Sequence, residues 1–238
     1  DIAQGFIEHI GKKIVSASKS DTDISTKKSI FVVDGTGFSY HDSYPMKLFR
    51  GMEIRKIRTH VKIGALISLA GHRRFVVSAK AGPPYAGDTT LIEPLLENLE
   101  KGSGSVLGDK GFDSIKLMQI ISEKGYDPVI PVKQRRGSAI IDPLRELSNK
   151  LAQGIIYKKR TLVEGLFGNI KQKLSSHVRI FKLEMAKVFA LLRFALLNVS
   201  VLISIEKERV VLILFPNSAS FRRCKPHTNF SRVIAYRD

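Results

Sequence analysis

Three acidic residues, Asp34, Asp109 and Glu164, stand apart from the other acids of this chain. Most of the rest have ordinary explanations: Asp88 and Asp113 read as helix caps, and Glu93, Glu97 and Glu100 as a solvated helix face. Asp34 follows the apolar run "IFVV" and Asp109 follows "VLG", which predicts both at the carboxyl ends of strands in the middle of a sheet. Ligands of open α/β sheets gather at such ends. A single aspartate there serves a turn or cap equally well; two on neighbouring strands point to a shared site. Glu164 lies in "YKKRTLVEGLFGNIK", and between Leu147 and Leu183 it is the one acid among eight Lys and Arg residues. On a helix, Tyr157, Arg160, Glu164 and Lys171 would share an arc of about 60°, with Leu162, Val163, Leu166 and Ile170 opposite. Taken alone, that arc also describes a solvated face with a Glu164–Arg160 pair worth about 0.3 kcal/mol.

Two aspartates on strands and a glutamate on a helix suit two-metal phosphoryl transfer. Hard divalent cations take carboxylate oxygens, and a pair of them activates an attacking oxygen while stabilising the leaving one. Basic neighbours would hold a phosphodiester backbone, and the metal charge would remove the repulsion between bare acids and a polyanion.

The elements that must position these residues can be read from periodicity. Residues 1–13 predict a short amphipathic helix followed by the linker "SASKSDTDISTKK", so folding is expected to begin near residue 29. "SIFVVD" predicts a strand that turns at "GTG". "THVKIGALISLAG" and "HRRFVVSAKAG" predict two more strands, completing an antiparallel meander with a turn at 70–72. Helix 88–100, strand 104–109, helix 113–126 and strand 127–133 then alternate, which predicts parallel additions to the meander. The fold class is therefore α/β, with a mixed five-stranded sheet flanked by helices. Residues 134–154 predict a basic loop with a helical piece, followed by the Glu164 helix and a long apolar helix over 182–206. The expected division is 1–28 as N-terminal helix and linker, 29–206 as catalytic domain and 207–238 as an atypical tail. No internal repeat is found.

Composition narrows the partners. The 238 residues carry 39 Lys and Arg against 22 Asp and Glu, a net charge of +17, which favours double-stranded DNA or another polyanion. With 43% hydrophobic residues the chain can form a core, which excludes a disordered protein. Its one cysteine, Cys224, excludes an internal disulfide framework and a cysteine zinc cluster, and fits a reducing cytoplasm. The apolar run 188–205 contains Arg193 and Asn198, so a buried core helix is expected there and no membrane partner. The N-terminus has no signal-peptide pattern and no initiator Met, as in a fragment or domain.

The sequence resembles the DDE transposases of bacterial and archaeal insertion sequences, in the insertion sequence four and five groups. "VVDGTGFS" resembles the family's first-aspartate motif and "GDKGFDS" its second. Tyr157, Arg160, Glu164 and Lys171 match its Y-x2-R-x3-E-x6-K signature with every spacing kept. The resemblance spans residues 29–206. It implies an RNase H-like core in which Asp34, Asp109 and Glu164 are catalytic and bind two Mg²⁺ or Mn²⁺ ions. It also implies cleavage at transposon ends by water and strand transfer by the freed 3′-OH. Tyr157, Arg160, Lys171 and Lys110 would contact DNA, with Lys62, His60, Arg179 and His177 as weaker candidates. A homodimer on paired transposon ends, in a prokaryotic cytoplasm at the nucleoid, is implied as well. The interval from Asp109 to Glu164 is 55 residues, which leaves little room for the β-rich insertion domain of some relatives. Competing readings are an inactive or domesticated DNA-binding remnant and a structure-specific nuclease on the same fold. A tyrosine recombinase using Tyr157 is disfavoured, because Tyr157 has a carboxylate beside it in place of an Arg/His cluster.

Overall fold

The computed structural model describes residues 2–19, 29–47, 54–70, 73–133 and 142–214. Helix α1 (Ile2–Lys19) buries Ala3, Ile7, Ile10, Ile14 and Ala17, which recur at three- and four-residue intervals. It runs six residues beyond the predicted end, and the remainder of the expected linker lies outside the described residues.

Strands β1 (Ser29–Lys47), β2 (Ile54–Ala70) and β3 (Arg73–Gly82) form the expected antiparallel meander, its second turn falling on residues outside those described. Strands β4 (Gly104–Leu107) and β5 (Tyr126–Val129) add in parallel, giving the order β3-β2-β1-β4-β5. A two-residue strand, β6 (His177–Val178), joins β1 at Ser39 and Tyr40, so among the described residues the sheet has six strands and not five.

β1 also corrects the expected turn at "GTG": the strand continues through it, pairing Gly35 with Gly64 and Gly37 with Lys62. The glycines admit close neighbours on the sheet face opposite Asp34. A Cβ on Gly35 would come within 3.1 Å of the Asp88 carboxylate, and one on Gly37 within 3.1 Å of the His60 ring.

Alternation along the strands divides the core. Val32, Phe38, Ile63 and Leu107 face α1, α5 (Thr161–Leu174) and α6 (Leu183–Leu214). Val33, Leu66 and Val106 face α2 (Asp88–Glu97) and α3 (Ile115–Glu123). The result is a sheet between two helical layers.

Two predicted caps are corrected. Gly87 caps α2, while Asp88 is its first residue and pairs with Lys62 at 3.0 Å. α3 starts after Ser114, because Asp113 is engaged by Arg145 of α4 (Pro143–Ala152). α4 is the helical piece expected in 134–154; residues 134–141 lie outside the described residues.

α6 is longer than predicted and only half matches the expectation of a buried helix. Ala186, Ala190, Leu191, Phe194 and Ala195 are buried, whereas Met185, Phe189, Leu192, Leu196 and Ile203 are 37–55% exposed. Among the described residues it is the one helix long and apolar enough to cross a membrane, with 33% of its most apolar window buried. Its polar interior residues are engaged with protein. The fully buried Asn198 amide donates to the Val76 carbonyl at 2.7 Å and accepts from the Val76 N–H at 2.9 Å, satisfying the backbone of edge strand β3. Arg193 donates to three carbonyls, those of Leu174, Phe189 and His177, each at 3.0 Å.

Candidate active site

The positions of Asp34 and Asp109 follow from strand register. Val32 pairs with Leu107 in the last register step between β1 and β4, and both side chains lie in the core beneath α5 and α6. Two residues further on, alternation brings Asp34 and Asp109 to that same face. The backbone at Asp109 is still extended (φ −79°, ψ 174°), which preserves the alternation after β4 ends. Asp34 is thus not at the end of its own strand, as the sequence implied. It sits where the partner strand stops.

α5 supplies the third acid. Val163, Leu166, Phe167 and Ile170 are buried against the sheet, which fixes the helix on the face that carries the two aspartates. Leu162, expected among them, lies at the edge of the arc and is 36% exposed, with Phe167 in its place. Glu164 projects to solvent, its side chain 61% exposed.

Tyr157 is not on α5. Residues Ile155–Arg160 form a 3-10 turn, so the single helical arc from Tyr157 to Lys171 is interrupted. The spacing nevertheless works, because side chains three apart eclipse in a 3-10 turn. The Arg160 guanidinium lies 6.0 Å from the Tyr157 ring centroid.

Arg160 connects the acids. Its Nη2 donates to Glu164 Oε1 at 3.1 Å, and its Nη1 is 3.7 Å from Asp34 Oδ2. Asp34 accepts a 2.8 Å bond from the Gly35 N–H, and Asp109 one of 2.6 Å from the Gly111 N–H. Burial raises the pKa of Asp34 above the usual aspartate value; the Gly35 bond and Arg160 oppose this, while Asp109 and Glu164 add to it by repulsion. Asp109 and Glu164 are therefore both within electrostatic reach of Asp34. Among the described residues, however, no three His, Cys, Asp or Glu side chains form a closed metal group. The candidate donor set still suits a hard divalent cation in its chemistry: all three side chains are carboxylates, two of them repel Asp34, and a cationic side chain already stands between Asp34 and Glu164.

The other predicted contacts separate. Lys171 reaches along β1, with its Nζ 5.8 Å from the Phe38 ring centroid on the face that carries Asp34. Arg193, noted in the sequence only as a charge inside an apolar run, approaches the same ring at 5.3 Å. Its three carbonyl partners make it a structural cation; no local sequence signal marks that role. Lys110 is exposed beside Asp109. Lys62 is turned to the opposite face by Asp88 and by the Ala86 carbonyl, 2.9 Å from its Nζ, which removes it from the site. His177 Nδ1 lies 3.1 Å from the Ser39 hydroxyl. Arg179 is exposed, and His60 covers Gly37.

A family model described as the transposase DDE domain matches residues 25–199. An uncharacterized protein of Aquifex aeolicus (strain VF5) is 25% identical over 178 residues, covering 73% of this chain and 56% of that protein. The chain thus spans little more than half the length of that relative. No solved structure matches.

Proposed function

The chain belongs to the transposase DDE domain family, and from that premise we propose that it cuts DNA at transposon ends and joins the freed 3′-OH to target DNA. The family is of polynucleotidyl-transferase type and acts on DNA. The α/β architecture with its mixed sheet is consistent with the family's RNase H-like core.

Asp34, Asp109 and Glu164 would hold two Mg²⁺ or Mn²⁺ ions. Bound there, the ions would make water or a 3′-OH a better nucleophile and stabilise the leaving oxygen. The chain's own residues do the rest. The Gly35 and Gly111 N–H groups fix the two aspartates, and the buried side of α5 fixes Glu164. Arg160, Lys171 and Lys110 supply cations for successive phosphates, and Tyr157 supports Arg160. A second copy would complete the assembly that pairs two ends, in a prokaryotic cytoplasm.

The observation that carries this reading is geometric: Arg160 stands 3.7 Å from Asp34 of β1 and 3.1 Å from Glu164 of α5, and Asp109 follows the Val32–Leu107 pair on the same face. The test is metal-dependent nicking of DNA by the wild type and by Asp34→Asn, Asp109→Asn and Glu164→Gln. Each variant is expected to lose at least about 100-fold in rate, equivalent to about 3 kcal/mol of barrier. Wild-type rates in Asp109→Asn or Glu164→Gln would overturn the assignment. Salt-dependent DNA binding by a wild type that never nicks would favour the DNA-binding remnant.

A further inference from the structure

We propose that Arg160 is an exchangeable cation, held between Asp34 and Glu164 until divalent metal binds and then released to the DNA backbone. This inference rests on the metal-site reading above and adds an order of events to it.

The geometry points to exchange. Arg160 does not form a closed fork with either acid: one nitrogen meets Glu164 at 3.1 Å, and another stands 3.7 Å from Asp34. Elsewhere in the chain Arg145 shows what a fixed pair looks like, with Nε and Nη2 on the two oxygens of Asp113 at 3.1 and 2.7 Å. Arg160 divides its charge between Asp34 and Glu164, which would otherwise repel each other. A guanidinium keeps its charge at any working pH, so protonation cannot release it. A competing cation can, and a divalent ion brings twice the charge to the same oxygens. Arg160 already stands 6.0 Å from the Tyr157 ring centroid, so a displaced guanidinium has an aromatic face within reach at the edge of the acid cluster. There it can meet a phosphate.

Exchange makes metal and DNA cooperative. Metal must displace Arg160 from the acids, and phosphate rewards its departure, so each ligand should tighten the other by the same factor. Metal also relieves repulsion between the acids and phosphate without Arg160, so exchange is the part of this coupling that Arg160→Ala removes.

The experiment measures Mn²⁺ binding by electron paramagnetic resonance in wild type, Arg160→Ala and Arg160→Lys, without DNA. Removing the competing cation should tighten Mn²⁺ binding by about 3- to 10-fold in Arg160→Ala, the scale of one partly exposed ion pair. Arg160→Lys, whose single ammonium cannot span both acids, should fall between. DNA binding is then measured with and without Ca²⁺. Wild type should bind DNA more tightly with Ca²⁺, and the Ca²⁺ effect should shrink by about the same 3- to 10-fold in Arg160→Ala. If wild type takes up Mn²⁺ but neither variant binds it more tightly, or the Ca²⁺ effect is undiminished, exchange is wrong and the metal site stands. If wild type takes up no Mn²⁺, the metal-site reading itself fails.

Discussion

Asp34 and Asp113 are both carboxylates drawn into the protein, each beside an arginine, and their surroundings differ in one respect. Asp113, with a side chain 3% exposed, accepts from the Lys133 N–H at 2.7 Å and from two nitrogens of Arg145. Its negative charge is fully met, and it ties the segment after β5 to α4. Asp34, 16% exposed, accepts from one backbone N–H, while its arginine stands 3.7 Å away and is shared with Glu164. Two further acids repel it. An acid neutralised from all sides holds structure together; an acid left short of positive charge keeps capacity for a cation.

The sharpest division between the two regions should come from Arg145→Ala and Glu164→Gln. The first leaves Asp113 buried without its fork and should lower unfolding stability by about 2 kcal/mol in denaturant melts. The second should change stability by no more than about 0.5 kcal/mol, as for an exposed ion pair, while nicking is lost. Equal stability losses would erase the distinction.

A smaller effect is expected at Asp34, and its sign is informative. Its folded pKa is raised above the ordinary 3.8, so the native state holds this proton more tightly than the unfolded chain does. Asp34 thus favours folding at low pH, and that contribution disappears as pH rises through its folded pKa. At neutral pH the charged form is a burden, so Asp34→Asn should raise the melting temperature there. The gain should vanish below about pH 3.8, where the carboxyl is protonated in both states. A lower melting temperature at neutral pH would mean that Asp34 is already neutralised, as Asp113 is.

The smallest effect should follow Lys171→Ala. Loss of one phosphate contact lowers the slope of log K against log salt by about 0.9 and leaves stability near wild type. An unchanged slope would confine Lys171 to its packing on Phe38.

Local chemistry made much of this legible in advance. Strand alternation located β1 to β3, the change of period located the parallel additions, and the residue types of Asp34, Asp109 and Glu164 marked the candidate site. The misreadings share a cause, since each depended on a partner distant in sequence. "GTG" suggested a turn because the neighbours that favour glycine there, Asp88 and His60, arrive from α2 and β2. Asp88 and Asp113 resembled caps because their partners, Lys62 and Arg145, lie 26 and 32 residues away and no local pattern joins them. Leu162 and Phe167 exchanged places because the docking angle of α5 decides which edge of an apolar arc is covered.

The sequence by itself determined the principal elements, their order, the basic character of the chain and the three candidate acids, because periodicity and residue chemistry act over a few residues. Tertiary structure decided how those acids stand: Asp34 two residues past the last β1–β4 pair, Glu164 across from it on α5, and Arg160 between them. Register and helix docking are set by contacts among residues far apart in the chain. Whether an acid's charge is met or left open is a property of that assembled neighbourhood.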